Sequence, residues 1–302
     1  MIIRSAVSTH TGRRRRHNED AFVREPPLFA VADGMGGARA GEVASGLAAA
    51  ALKAGGDNGG SGKERVVALI QQANRNVYER SNQDADVAGM GTTMTVALVE
   101  GSEVTFGHVG DSRAYIFRDD ALEQLTDDHS LVAELVRGGK LSPEEAEHHP
   151  QRSVITRAIG TDPDVDVDTF VVDARPGDVF LLCSDGLTDM IGDSEIVDAM
   201  TRSANLDEAT RELVRLANRA GGEDNITVVA FELADEPAEE ILEQTMEQTV
   251  EQTREQTLPV DADASAPPAE TPSRSTRRFL PLLALLGVFV VVAVVLWVLT
   301  NR

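Results

Sequence analysis

Residues 92–125, TTMTVALVEGSEVTFGHVGDSRAYIFRDDALEQL, hold four apolar stretches in quick succession. Thr92–Val99, Val104–Val109, Ala114–Phe117 and Leu122–Leu125 are rich in the β-branched and aromatic residues that suit a pleated sheet. Glu100-Gly101-Ser102 and Arg118-Asp119-Asp120 are short connections, which favour antiparallel hairpins. Outward from this block, Ile2–Val7, Leu28–Ala32, Asp168–Val172, Asp178–Cys183 and Ile226–Leu233 read as further strands. Gly41–Ala54 is Ala-rich and helical, and Val66, Ile70, Ala73 and Val77 fall on one helix face. Leu131–Val136 and Pro143–His148 also read as helices, the second with Ser142 as its N-cap. Leu206–Ala220 is an amphipathic helix ended by Gly221-Gly222. Hairpins with helices between groups of strands indicate an α+β fold, antiparallel sheets covered by helices, rather than a doubly wound parallel sheet.

The chain has 302 residues and a net charge of −22. That balance argues against nucleic acid as a partner, because a phosphate backbone calls for dense Lys and Arg. Cys183 is the single cysteine, so no intrachain disulfide can form and a reducing compartment is expected. Inside FLLCSDG it reads as a small buried hydrophobe.

Three regions follow from composition. Residues 1–234 have globular patterning. Residues 235–278 are rich in Glu, Gln, Thr, Pro, Ala and Ser, a linker composition, and carry Glu-Gln-Thr units beginning at Glu243, Glu247, Glu251 and Glu255. Residues 279–300 are uncharged and apolar, long enough as a helix for a hydrocarbon core of about 30 Å, and read as a transmembrane helix. Arg274, Arg277 and Arg278 precede that segment and Arg302 follows it. The positive-inside rule then places the globular part on the cytoplasmic face of a single-pass membrane protein. MIIRSAVSTHTG lacks the pattern of a signal peptide.

The chemistry lies in acidic residues that close apolar runs or sit in Gly-rich loops. Asp33-Gly34, Asp111, Asp185-Gly186 and Asp224 occur in LFAVADGMGG, GHVGDSR, FLLCSDGLTD and GGEDNITVVAF. A carboxylate at the end of a buried strand is costly to desolvate without a positive partner. Several together repel one another, so a cation is the natural companion. Oxygen ligands without His or Cys pairs select Mg or Mn over Zn or Cu. Arg15 stands near Glu19, and a guanidinium beside such a site can fork onto two phosphate oxygens.

The order of motifs resembles a known family. Arg15 with Glu19-Asp20, then ADGMGG with GEVAS, GMGTTMT, GDSR, SDGL and Gly222-Glu-Asp-Asn225 is similar to the metal-dependent type 2C Ser/Thr protein phosphatases. The likeness is to the bacterial membrane-anchored enzymes that oppose Ser/Thr kinases, and it covers nearly all of residues 1–234. Each motif alone is weak, since Asp-Gly pairs are mostly turns; the series in order is specific.

That resemblance implies a four-layer α-β-β-α sandwich and two Mn or Mg ions, with a possible third. By position, Asp33 would bridge two ions and the Gly34 carbonyl would bind one. Asp185 and Asp224 would complete the pair of sites, with Glu19 in the water shell. Arg15 would bind phosphate. Asp111 and Asp189 match a third, weaker site, with Asp128 as a further candidate, and Leu135–Gly160 corresponds to a mobile flap. A water between two cations would attack phosphorus, so no nucleophilic Ser or Cys is needed. Relatives carry a His near the DGMGG segment where this chain has Met35 and Ala38. His149 in HHPQR is then the candidate general acid, and a water could serve instead. The implied partners are phosphorylated proteins, Ser/Thr kinases among them, met by a monomeric catalytic domain. Two alternatives use the same residues: a pseudophosphatase that binds phosphoproteins, and a phosphatase dedicated to one antagonist in partner switching.

Overall fold

A computed structural model describes residues 2–36, 40–55 and 59–234. The segments read as linker and transmembrane helix, and Ala38, lie outside the described residues. Among the described residues no helix is long and apolar enough to cross a membrane.

Strands β1 (Ile2–His10), β2 (Asp20–Glu25) and β3 (Leu28–Met35) lead into helices α1 (Ala40–Ala54) and α2 (Gly62–Gln83). The decisive block follows as β4 (Gly91–Thr92), β5 (Met94–Glu100), β6 (Glu103–Val109), β7 (Arg113–Arg118) and β8 (Ala121–Gln124). Two short helices, α3 (Leu131–Arg137) and α4 (Pro143–Glu147), carry the chain to β9 (Asp168–Asp173) and β10 (Val179–Cys183). Helices α5 (Asp185–Thr188), α6 (Asp193–Arg202) and α7 (Leu206–Ala220) precede β11 (Ile226–Ala234).

The expected hairpins form, β5 with β6 and β7 with β8, but they belong to different sheets. One sheet runs β1-β11-β10-β7-β8; the other runs β2-β3-β5-β6-β9, with β4 beside β3. Every pairing is antiparallel. Strand β2 and helices α5 and α6 were not expected from the sequence. Strand β3 continues through Asp33 and Gly34, so that carboxylate belongs to the strand rather than to the turn after it.

Alternation along the strands explains the layers. In β3, Phe29 and Val31 face the other sheet, whereas Ala30 and Ala32 face Ala44, Ala48 and Ile70 of α1 and α2. In β10, Phe180 and Leu182 point inward to the first sheet's partner, and Leu181 and Cys183 meet Ile196 and Leu213 of α6 and α7. Strands covered on both faces read as unbroken apolar runs rather than alternating ones. Between the sheets Phe29 stacks on Phe231 at 4.3 Å and Phe231 on Phe180 at 5.1 Å. Such pairs add about 0.5–1.5 kcal/mol each beyond the area they bury.

This topology gathers the acidic residues. The ends of β3, β6 and β10 and the starts of β2 and β11 lie at one end of the sandwich, because each neighbouring pair is antiparallel. Asp33, Asp111, Asp185, Asp20 and Asp224 sit at those points.

Candidate active site

Asp20 and Asp33 are register partners across β2 and β3. Thr93 fixes the Asp33 backbone on both sides: its hydroxyl accepts from Asp33 N–H at 2.9 Å and its N–H donates to Asp33 C=O at 2.8 Å. A side chain on Gly34 would overlap the Gly41 carbonyl and lie 2.6 Å from the Glu19 carbonyl, so only glycine lets these three backbones meet. The start of α1 is thereby pressed against Asp33 and Gly34 near the end of β3. Ser45 of α1 donates to the Glu19 carbonyl at 2.5 Å. Gly110, at φ 112°, makes the bend that ends β6 and sets Asp111 inward.

From the other sheet, Asp185 opens α5 directly after β10, and Asp224 precedes β11. The Asp33 and Asp185 carboxylates lie close enough to share a proton. Burial, then the charge of Asp20, then that of Asp185, holds Asp33 well above the usual carboxylate range. Burial, with Asp189 and Asp224 adding, likewise raises Asp185. Burial chiefly, and then Asp185 and Asp224, pushes Asp20 up to about 7 against the hydrogen bonds it accepts. Asp111 is pushed up to about 8 by burial and by Asp185 and Asp128.

Two oxygens, Asp20 Oδ1 and Asp185 Oδ1, are buried with no hydrogen-bond partner among the described residues. Orphaned, mutually repelling carboxylate oxygens fit divalent hard cations. Among the described residues no three His, Cys, Asp or Glu side chains are already closed around one point. Ions here would therefore complete their shells with the Gly34 carbonyl and with water, which Mg and Mn sites commonly retain.

Arg15 lies at the mouth of this cleft, of about 440 Å³, with its Nη2 2.6 Å from Asp224 Oδ2 and its Nη1 4.0 Å from Glu19 Oε2. Its guanidinium is half exposed, free to exchange a carboxylate for a phosphate oxygen. Asp189 is an outer member of the same cleft, its side chain 40% exposed, and the partial loss of solvent at the cleft wall raises its pKa. Asp128 stands apart from Asp33. It lines an adjoining cavity of about 900 Å³ with Asp111, and Arg113 holds its carboxylate at 2.9 and 2.8 Å. His149 lines neither cavity, and its Nδ1 accepts from Gln151 N–H at 3.1 Å. His148, its neighbour, lines the larger cavity. Met35 lines the cleft of Asp33.

Sequence reading missed three residues of this site. Asp20 is the second carboxylate of the Glu19-Asp20 pair, and its place in a strand facing Asp33 gives it the chemistry. Arg152 lines both cavities, 3.8 Å from Asp189 and 4.0 Å from Glu223. Its signal was an Arg three residues after the candidate acid His149. Asn225, beside Asp224, ties the Arg15 loop down.

A family model for Protein phosphatase 2C matches residues 9–227. The serine/threonine phosphatase stp of Listeria welshimeri is 41% identical over 241 residues, covering 74% of this chain and 93% of that protein. The crystal structure of the Mycobacterium tuberculosis serine/threonine phosphatase PstP/Ppp superposes with a TM-score of 0.74 at 40% identity, over 78% of this chain and all of that one. The catalytic domain of PstP in complex with two manganese ions gives 0.71 at 38% identity, over 77% and 99%. Motif order, paired sheets and a cation-fitting cleft thus agree with each comparison, and the chain belongs to the protein phosphatase 2C family.

Proposed function

We propose that this chain hydrolyses phosphoserine and phosphothreonine esters on proteins, with Mn or Mg, and that it does so at the cytoplasmic face of a membrane against Ser/Thr kinases. The observation that carries the chemistry is the buried carboxylate cluster from two different sheets, Asp20 and Asp33 from one and Asp185 from the other, with orphaned oxygens on Asp20 and Asp185. Asp33, Gly34, Asp185 and Asp224 would hold two divalent cations, with Glu19 behind them. Bound there, the cations would supply positive charge to the phosphoryl group and lower the pKa of a water.

The chain's own residues do the rest. Arg15 exchanges Asp224 for the phosphoryl oxygens and meets the charge that builds on them. Asp20, opposite Asp33, adds a further carboxylate beside the cation-holding residues. Among the described residues no side chain is placed as a covalent nucleophile. Burial pushes the Cys183 thiol up to about 12, and Ser184 donates its hydroxyl to Asp20 at 2.9 Å. The apolar run at 279–300 and the arginines before it support membrane attachment. A tether would raise the effective concentration toward membrane kinases.

Phosphate release from a phosphothreonine peptide, measured with Mn, with Mg and with chelator, tests the reading. Activity should require the cation, and Asp33→Asn or Asp185→Asn should lower kcat/KM on the order of 10²–10³-fold with weaker metal binding. Full activity in both variants at unchanged metal content would refute the assignment. Deleting 279–300 should move the chain from the membrane to the soluble fraction of expressing cells.

A further inference from the structure

The loop from Thr11 to Glu19 carries four successive arginines, and they have different employment. Its backbone is held at several points. Arg13 N–H donates to Gly222 C=O at 2.7 Å. Asn225 Nδ2 donates to the Thr11 and His17 carbonyls at 2.8 and 2.9 Å. Asn225 Oδ1 accepts from Glu19 N–H at 2.7 Å. The Arg13 guanidinium leans on the Asn218 carbonyl at the end of α7, at 3.5 Å, and Arg15 is paired with Asp224. Arg14 and Arg16 are exposed, and neither side chain has an ion pair or hydrogen bond among the described residues.

Arg14 and Arg16 therefore flank the phosphate-facing Arg15 on a pinned arch, each with its Cα about 3.8 Å from that of Arg15. An extended peptide advances about 3.3 Å per residue, so positions within two or three of the phosphorylated residue come within reach of these long side chains. The overall charge of −22 opposes an acidic peptide. Distant exposed charges are screened beyond about 8–10 Å at physiological salt. Arg14 and Arg16 lie outside the cleft lining, next to Arg15 in the chain, so they act on the flanks of a bound peptide rather than on its phosphate. Glu223, beside the arginine loop, and Asp189 are partly offset by Arg152, which contacts both.

We propose that Arg14 and Arg16 form a subsite for acidic residues next to the phosphorylated Ser or Thr, which makes acidic phosphopeptides the favoured substrate class. The inference rests on the phosphatase reading above and adds flank specificity to it. The binding is electrostatic, so the preference resides in KM and fades with salt.

The test uses the 302-residue chain and two phosphothreonine peptides of equal length, one with Glu and one with Lys at the flanking positions. At low ionic strength the Glu peptide should have a kcat/KM about five- to tenfold higher, as two exposed ion pairs allow. Raising salt to about 0.5 M should shrink that ratio. R14E/R16E should remove or invert the preference through KM, and R14K/R16K should keep its sign. Equal or poorer turnover of the Glu peptide by the unaltered chain would overturn the proposal, as would a preference that survives R14E/R16E. Hydrolysis of a small aryl phosphate with Mn separates the two levels. Turnover without flank discrimination sinks the subsite and leaves the phosphatase, and no turnover at all sinks both.

Discussion

Asn225 holds Glu19 from 206 positions away in sequence, its Oδ1 accepting from the Glu19 N–H at 2.7 Å. The same amide donates to Thr11 and His17, so one side chain sets the path of the loop that presents Arg15. Asn225→Ala removes all three bonds while leaving every charged site residue in the chain. Loss of such a supporting group typically costs about 10–100-fold in metal affinity or activity. A Mn titration and steady-state kinetics should show a fall of that size, and wild-type values for both would show that the loop is held by other means.

Gly34 is the point where three backbones crowd. Gly34→Ala would force a methyl group into the Gly41 carbonyl, and overpacking of this kind costs about 1–3 kcal/mol. Gly46, on the exposed side of α1, meets nothing within 4 Å of an added Cβ. Gly46→Ala should raise stability by about 0.5–1 kcal/mol through helix propensity. Denaturant melts of the two variants should move in opposite directions, and a neutral Gly34→Ala would refute the close approach.

Protonation gives a signed expectation for the metal-free protein. Asp20 and Asp111 are raised to about 7 and about 8 in the folded state, against roughly 3.9 for Asp in an unfolded chain. The folded form therefore keeps protons that the unfolded form has already released. The stability these two groups contribute is greatest below the unfolded pKa and declines as pH rises from about 4 to about 8. Mn replaces those protons, so its stabilising effect should grow over the same interval. Thermal melts at pH 5 and pH 8, with Mn and with chelator, check this. A Mn-induced rise in Tm that is flat or smaller at pH 8 runs against it.

Arg152 reaches over the cleft from the segment after α4 on two long ion-pair contacts and is half exposed. Contacts of that kind contribute under about 1 kcal/mol to stability. Arg152→Ala should accordingly leave Tm nearly unchanged and raise KM for phosphopeptides severalfold. A large drop in Tm with unaltered KM would make it a structural residue.

How much was legible depended on whether a local pattern carried the feature. The hairpins, α7 and the capped start of α4 at Ser142 were written in adjacent residues, and the structure has all of them. Strand β2 was hidden because Asp20–Glu25 is short and bears charges at both ends. Helices α5 and α6 were hidden because α5 is four residues long and ends on a turn before α6 begins. The carboxylates were visible as acids closing apolar runs. Asp20 was not singled out, since its partner across the strand pair is set by register and not by neighbours in sequence. Arg152 and Asn225 act through contacts with residues tens to hundreds of positions away, which no local pattern encodes. The division of the hairpins between two sheets was equally out of reach, because it depends on the distant β10 pairing with β7.

Asp20 and Asp33 descend from one sheet, Asp185 and Asp224 from the other. A cation seated among them is then a rivet through the whole sandwich as well as a reagent. Chelation would leave facing halves of like sign pressing apart at the acidic end of the sandwich, away from the Phe29–Phe231 stack that clasps them. Manganese scarcity would thus shorten the lifetime of the molecule against proteases as well as slow its turnover, and a cell starved of the ion would lose the enzyme itself.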